Sequence, residues 1–282
     1  MIKQYLLTPG PTPIPNEVAL AMSQTMVHHR TPQFNKIFEE ARQGLKTLFG
    51  TRGDVLMLAS SGTGAMEAAV SNLFSRGDKV LVINGGKFGE RWLNIANAFE
   101  LDPVEVKVEW GRAVKVEEVE KQLAHHPDIQ GVMIQASETS TTVLHPVKEI
   151  ANLTKNGPLF LVDGVTAVGV LPVPLDEWGI DALVTGSQKA LMLPPGLGFI
   201  ALSERAWQKT KNAKLRARIC FCSCVKAVTA ARGCGESVES SSARSESEWS
   251  VLCRRTIVRT RGPRSFLSPS RLPSPTGRVG ST

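Results

Sequence analysis

The first 207 residues of this 282-residue chain contain no cysteine. That absence excludes a thiolate nucleophile there. It equally excludes a nickel, iron or iron–sulfur site built on cysteine, and it implies no disulfide framework. Also missing is any run approaching the roughly 20 apolar residues needed to cross a bilayer, so no membrane partner is expected. The N-terminus, Met1-Ile2-Lys3-Gln4-Tyr5-Leu6-Leu7, has neither a long apolar segment nor the small-residue cleavage site of a secretory leader. The expectation is a cytoplasmic protein. The front also lacks an excess of positive charge: residues 1–207 carry 18 Lys+Arg against 22 Asp+Glu, a net −4. The overall +7 arises in residues 208–282, where 15 basic residues face 4 acidic ones, a net +11. A mildly acidic body gives no reason to expect nucleic acid as a partner.

Residues 208–282 lack a sustained hydrophobic period of either kind. They are rich in Ser, Arg and Pro, as in Arg264-Ser265-Phe266-Leu267-Ser268-Pro269, a composition that reads as disorder rather than domain. Three readings stand open. One is out-of-frame translation that replaced a second domain, and another is a genuine basic tail. The third is a metal site on Cys220, Cys222, Cys224, Cys234 and Cys253. The Cys-x-Cys-x-Cys run departs from the usual Cys-x₂-Cys spacing, and no metal is expected.

What is present in the front is a regular alternation. Thr8-Pro9-Gly10-Pro11-Thr12-Pro13-Ile14-Pro15 cannot be helical, because proline fixes φ and pushes the preceding residue toward extended backbone. Residues 1–15 therefore read as an extended arm. A helix follows with Asn16 as N-cap. A second runs from 32 to 49, with Phe34, Ile37, Phe38, Ala41, Leu45 and Leu48 on one face and Gly50 as its stop. Apolar runs at 55–59, 79–83, 104–108, 131–135, 159–162, 182–184 and 198–202 read as strands. Between them, 63–74, 88–99, 116–123 and 147–154 read as helices. Apolar strands separated by helices predict an α/β domain over 16–207, with a mostly parallel sheet covered on both faces. Such sheets bind ligands at the carboxyl ends of their strands.

The candidate chemistry falls at those ends. Leu159-Phe160-Leu161-Val162-Asp163 is an apolar run closed by an acid, and Gly186-Ser187-Gln188-Lys189-Ala190 places a lysine among small residues 26 positions later. Either residue alone reads as a strand-end acid or a surface lysine. Together they suit pyridoxal phosphate, which needs an amine to hold its aldehyde and an acid to keep its pyridine nitrogen protonated. Ser60-Ser61-Gly62-Thr63-Gly64-Ala65 joins a strand to a helix N-terminus, where backbone N–H groups and the helix dipole favour a phosphate. Phe88, at another strand end, offers a face for a planar ring or packs in the core. Glu138-Thr139-Ser140-Thr141-Thr142 offers hydroxyls to the cofactor's phenolic oxygen, or forms a plain turn that caps a helix. Val165, two residues past Asp163, is placed to lie against the ring's other face.

These motifs, with Phe88-Gly89-Glu90-Arg91-Trp92 and Val162-Asp163-Gly164-Val165-Thr166-Ala167, resemble the class V pyridoxal-phosphate-dependent aminotransferases, in particular the alanine–glyoxylate and serine–glyoxylate branch. The likeness covers about 1–207, in order. It implies the large domain of a type I aminotransferase homodimer with sites at the subunit interface, and a proline-rich arm near Gly10 that closes over the substrate. By the same resemblance Lys189 holds the cofactor and shuttles the proton, and Asp163 pairs with the pyridine nitrogen. Ser61, Gly62, Thr63 and Gln188 hold the phosphate, Phe88 and Val165 sandwich the ring, and Thr139 bonds the phenolic oxygen. Phe88 stands where tryptophan is often found but keeps the stacking face. The implied reaction moves an amino group from L-alanine or L-serine to a 2-oxo acid such as glyoxylate. A cysteine desulfurase is disfavoured, because the body has no cysteine. Some cyanobacterial members carry the label of soluble hydrogenase small subunit, which implies association with a metal-bearing large subunit as the alternative role. Family members also continue into a smaller C-terminal domain that supplies an arginine for the substrate carboxylate. No arginine in 208–282 matches it, so that domain reads as missing or replaced. The expectation is a chain able to bind cofactor, with transamination weak or absent.

Overall fold

A computed structural model describes residues 6–213 and 215 of the chain. Two helices open the fold, α1 (Asn16–Met22) and α2 (Pro32–Phe49). Asn16 is the first helical residue rather than the cap, since Pro15 precedes it in extended geometry and no side chain caps the helix. The signals around α2 act as read: Thr31 Oγ1 accepts the Phe34 N–H at 3.3 Å, Pro32 opens the helix and Gly50 ends it at φ 59°. Its apolar stripe divides. Leu45 and Leu48 pack on the core, whereas Ile37 and Phe38 remain exposed.

Strands and helices then alternate as β1 (Val55–Ala59), α3 (Gly62–Leu73), β2 (Lys79–Asn84), α4 (Lys87–Ala98), β3 (Asp102–Lys107) and α5 (Val116–His125). Next come β4 (Gly131–Gln135), a short hairpin of β5 (Ser137–Glu138) and β6 (Val143–Leu144), and α6 (Val147–Thr154). The series ends with β7 (Leu159–Asp163), α7 (Leu175–Trp178), β8 (Ala182–Gly186), β9 (Leu197–Leu202) and α8 (Glu204–Thr210). Seven strands make one sheet in the order β1-β9-β8-β7-β4-β2-β3. Only β9 runs against its neighbours β1 and β8; every other pairing in this sheet is parallel.

Burial on both faces explains the apolar runs. In β7, Phe160 and Val162 enter the cluster that holds α5 and α6, while Leu159 and Leu161 enter the one that holds α3, α4 and α8. Successive side chains of a strand point to opposite faces, so a strand covered on both sides must be apolar throughout. Each such side chain contributes about 1.5–3 kcal/mol by leaving water. The α/β architecture expected from the sequence is the one adopted. β3 starts two residues earlier than its apolar pattern indicated and includes Pro103. It lies at the sheet edge and pairs with β2 alone, where a missing N–H is tolerated. β5, β6 and α7 were not expected, being too short to display a period. Helix α8 runs through Trp207, the position expected to end the domain. The readings made on the cysteines and on 216–282 lie outside the described residues. Among the described residues, no helix is long and apolar enough to cross a membrane.

At the amino end of the parallel strands Asp181 and Arg205 form an ion pair. Asp181 is 2% exposed. Its carboxylate accepts the Phe160 N–H at 2.8 Å, the Ser203 hydroxyl at 2.6 Å, and the Arg205 guanidinium at both oxygens. Arg205 also donates to the carbonyls of Thr154, Lys155, Gly157 and Pro158, and so closes the C-terminus of α6. The Arg205 side chain is 37% exposed, so removing Asp181 leaves the buried Phe160 N–H without its acceptor rather than a buried cation. Asp181→Ala should therefore destabilise the chain by about 1–3 kcal/mol in urea titration. A loss near zero would show that the Phe160 N–H finds another acceptor.

Candidate active site

The opposite end of the sheet collects all nine candidate residues. Ser61, Gly62 and Thr63 follow β1, Phe88 follows β2, and Thr139 follows β4 through β5. Asp163 and Val165 end β7, and Gln188 and Lys189 follow β8. In register, Asp163 lies beside Gln135 of β4 and Val184 of β8. Asp163 and Lys189 thus emerge from adjacent parallel strands. Their arrangement needs no loop to fold back.

Asp163 is 3% exposed. Its Oδ1 accepts the Val165 N–H at 2.8 Å, an Asx turn that bends the chain as the strand ends. Burial pushes the carboxyl up to about 6 from an ordinary 3.8; the Val165 N–H pulls it down, Glu138 raises it, and Arg91 and Lys189 lower it. Burial likewise pulls the Lys189 ammonium below its ordinary range; Asp163 opposes that fall and Arg91 adds to it. Both shifts favour the neutral forms.

The proline-rich arm docks on the lysine loop. Lys189 Nζ donates to the Pro9 carbonyl at 3.3 Å, and the Thr12 hydroxyl donates to the Lys189 carbonyl at 2.8 Å. The Thr12 N–H donates to the Gln188 carbonyl at 3.1 Å. Gly10 sits so close that a Cβ on it would come within 2.5 Å of Lys189 Cδ and Nζ. A side chain there would require the end of the Lys189 side chain to move. Behind the lysine, buried Ser187 holds the loop through its hydroxyl, which donates to the Pro194 carbonyl at 2.6 Å and accepts the Leu197 N–H at 3.2 Å.

The turn into α3 is capped by Ser61, whose hydroxyl accepts the Gly64 N–H at 3.5 Å. The first N–H groups of a helix have no partner within it. Gln188 meets this turn: its Oε1 and the Gly62 nitrogen lie 3.0 and 3.3 Å from the point a Gly186 Cβ would occupy. That Oε1 is buried and has no hydrogen-bond partner. Val165 presses on the same turn, with Cγ2 2.6 Å from where a Gly62 Cβ would stand.

Phe88 is half-buried, and the Arg91 guanidinium lies over its ring at 4.8 Å from the centroid. Arg91 Nη1 also donates to Thr63 Oγ1 at 2.8 Å, joining the starts of α3 and α4. As the acceptor of the Arg91 bond, the Thr63 hydroxyl keeps its own proton to donate. Thr139 Oγ1 lies 3.0 Å from Thr166 Oγ1, and the Thr166 hydroxyl reaches the Ser137 carbonyl at 3.2 Å. With its single proton on the Ser137 carbonyl, Thr166 accepts from Thr139, so Thr139 reaches another acceptor only by releasing that bond. Arg91, Glu138 and Thr166 had no role in the sequence reading. Arg91 had one available signal, its i+3 spacing from Phe88 on a helix. Among the described residues, no group of His, Cys, Asp and Glu is arranged to hold a metal ion.

Comparison with known proteins follows the geometry. The family model described as aminotransferase class-V matches residues 4–233. A protein named soluble hydrogenase 42 kDa subunit, from Anabaena cylindrica, is 42% identical over 217 residues, 76% of this chain and 57% of that protein. The serine–glyoxylate aminotransferase of Methylorubrum extorquens is 37% identical over 230 residues, 78% of this chain and 57% of that one. Among solved structures, the alanine–glyoxylate aminotransferase of a Nostoc species superposes with a TM-score of 0.73 at 31% identity, covering 77% of this chain and 58% of the other. The chain spans little more than half the length of the relatives it matches. With a family model matched over most of its length, the chain belongs to the class V aminotransferases.

Proposed function

We propose that the chain binds pyridoxal 5'-phosphate at the carboxyl ends of β1, β2, β4, β7 and β8. The proposed reaction moves an amino group from L-alanine or L-serine to a 2-oxo acid such as glyoxylate. The observation that carries the reading is the pairing of a buried Asp163 with Lys189 on adjacent strand ends, beside an anion-ready helix start. Three features fit this cofactor. The unpartnered end of Gln188 beside Gly62 calls for a polar ligand; turned by half a rotation, the same amide presents N–H to a phosphate. A carboxyl held in the interior is matched by a cationic ring nitrogen. The burial that draws Lys189 toward its neutral form makes its amine a nucleophile and a base.

Each residue then has a task. Ser61, Gly62, Thr63 and Gln188 hold the phosphate, Phe88 and Val165 flank the ring, and Thr139 bonds its phenolic oxygen. Asp163 keeps the ring nitrogen protonated. Bound there, pyridoxal phosphate supplies the electron sink for charge that develops at the substrate α-carbon. Lys189 holds the cofactor and moves the proton at that carbon. The arm across Lys189, residues 9–12, screens the site from water on one side. We place the large domain at 16–207, the arm at 1–15 and a separate segment at 208–282. The working unit is a homodimer. The carboxylate-binding arginine implied by the resemblance has no counterpart in 208–282, so cofactor capture and transamination are separable in this chain. The name of the Anabaena relative supports a second reading, an aminotransferase-fold subunit beside a hydrogenase large subunit. Co-purification with a metal-bearing partner would distinguish it.

Mixing the chain with pyridoxal phosphate should give a visible absorption band, and borohydride should fix the cofactor to Lys189. A shift of that band with L-serine or L-alanine would report transamination competence. Lys189→Ala should keep its far-UV circular dichroism and lose covalent capture; labelling of another lysine in that variant would sink the assignment.

A second prediction follows from the proton on Asp163. The folded chain holds this proton more tightly than the unfolded chain, whose carboxyl titrates near 3.8, so stability falls as pH rises from about 4 to about 6. Asp163→Asn removes the penalty. Without cofactor the variant should be more stable than wild type by about 3 kcal/mol above pH 7, with no advantage at pH 4. Its affinity for pyridoxal phosphate should drop. Equal stability of the two proteins in urea at pH 7.5 would refute the burial penalty.

A further inference from the structure

Helix α4 begins at a residue that cannot cap it. Gly86 is the N-cap and has no side chain. A Cβ there would stand 2.5 Å from both Glu138 Cδ and Ser140 Oγ. The first N–H groups of α4 are satisfied from a distant segment instead. The Lys87 N–H donates to Ser140 Oγ at 3.0 Å, and the Phe88 and Gly89 N–H groups donate to Glu138 Oε2 at 3.0 and 3.1 Å. The other Glu138 oxygen accepts the Ser140 N–H at 3.0 Å and its hydroxyl at 2.6 Å. Glu138 is fully buried, at 0% exposure. Its two oxygens accept four hydrogen bonds, and every donor lies either at the start of α4 or in the turn after β5.

Those two segments carry Phe88 and Thr139. Glu138 precedes Thr139 in the chain and grips the backbone of Phe88, 50 residues away. The carboxylate therefore fixes the ring-flanking aromatic and the hydroxyl for the phenolic oxygen in one frame. We propose that Glu138 is a positioning residue that locks Phe88 and Thr139 together as two walls of the cofactor site. This inference rests on the pyridoxal phosphate reading above. An ordinary cap from within the helix would hold α4 equally well and leave the two walls independent. The cap from Glu138 couples them.

The test uses the full 282-residue chain and Glu138→Gln, which keeps the volume and one acceptor. Amide hydrogen exchange on the cofactor-free proteins reads the cap directly. The Phe88 and Gly89 amides should be protected in wild type and exchange at least about tenfold faster in the variant. Titration with pyridoxal phosphate reads positioning: affinity should fall about tenfold, and the visible circular dichroism of the bound cofactor should change. Phe88→Ala should weaken binding too, and the double variant should lose less than the sum of the two single losses. Should Glu138→Gln fail to fold, Ser140→Ala removes the Lys87 acceptor and should move affinity and circular dichroism in the same direction by less. Full additivity in the double variant would overturn the proposal, as would unprotected Phe88 and Gly89 amides in wild type. A variant with unchanged affinity and circular dichroism would do the same. A wild-type chain that takes up no pyridoxal phosphate would refute the cofactor reading, and the positioning role with it. That failure is visible before any variant is made.

Discussion

The carboxylate of Asp163 is almost shut off from water, and the rest of the site is arranged around that placement. β7 lies between β4 and β8 with a helical layer on each face, so its last residue reaches a position that water barely touches. One backbone N–H, from Val165, bonds it. Lys189 and Arg91 act on it only through space. A charge so poorly repaid is costly until a cation arrives. Binding a cationic ring there removes a penalty that the fold has already built in, which converts folding energy into affinity.

The loops that would surround such a ring are not independent of one another. Arg91 joins Phe88 to the turn at Thr63, Glu138 joins Phe88 to the loop of Thr139, and Thr166 joins that loop to the end of β7. The arm at Pro9–Thr12 is bonded to Gln188 and Lys189. The ends of β1, β2, β4, β7 and β8 each contribute one to three groups, and these bonds fix their relative positions. A site made from separate loops reaches the needed geometry only when such cross-links hold it. Phe88 shows the consequence, since its backbone is fixed from the β4 side and its ring from within α4.

What the sequence made legible follows from how local each signal is. The core strands read clearly because burial on two faces forces four or five consecutive apolar residues, as in Val55–Ala59 and Leu159–Asp163. Asp163 and Lys189 stood out only in combination, as a strand-end acid and a lysine among small residues 26 positions apart, beside a strand–helix turn suited to a phosphate. Ser61 was legible as a helix-start residue. Glu138 was not. Its partners Phe88 and Gly89 lie about 50 positions away, and no period links them. The exposed Ile37 and Phe38 show the same limit from the other side: the stripe on α2 was visible, but the sequence pattern does not say how much of it the chain itself covers.

Stability and chemistry occupy opposite ends of the sheet, and the separation has a physical reason. At the amino end Asp181 is matched by Arg205, Ser203 and a backbone N–H, and Arg205 by four carbonyls besides. At the carboxyl end Asp163 has one N–H and, among the described residues, no cation in contact. Both acids are nearly as buried, at 2% and 3% exposure. The difference is in what satisfies them. A carboxylate surrounded by partners is inert, because any ligand must compete with bonds already made. A carboxylate left short of partners is reactive toward the next cation, but it lowers the stability of the chain that carries it. The sheet bears that cost because its far end is closed by the Asp181–Arg205 network and its middle by two apolar layers. A strained site of this kind requires a scaffold whose stability does not depend on the site.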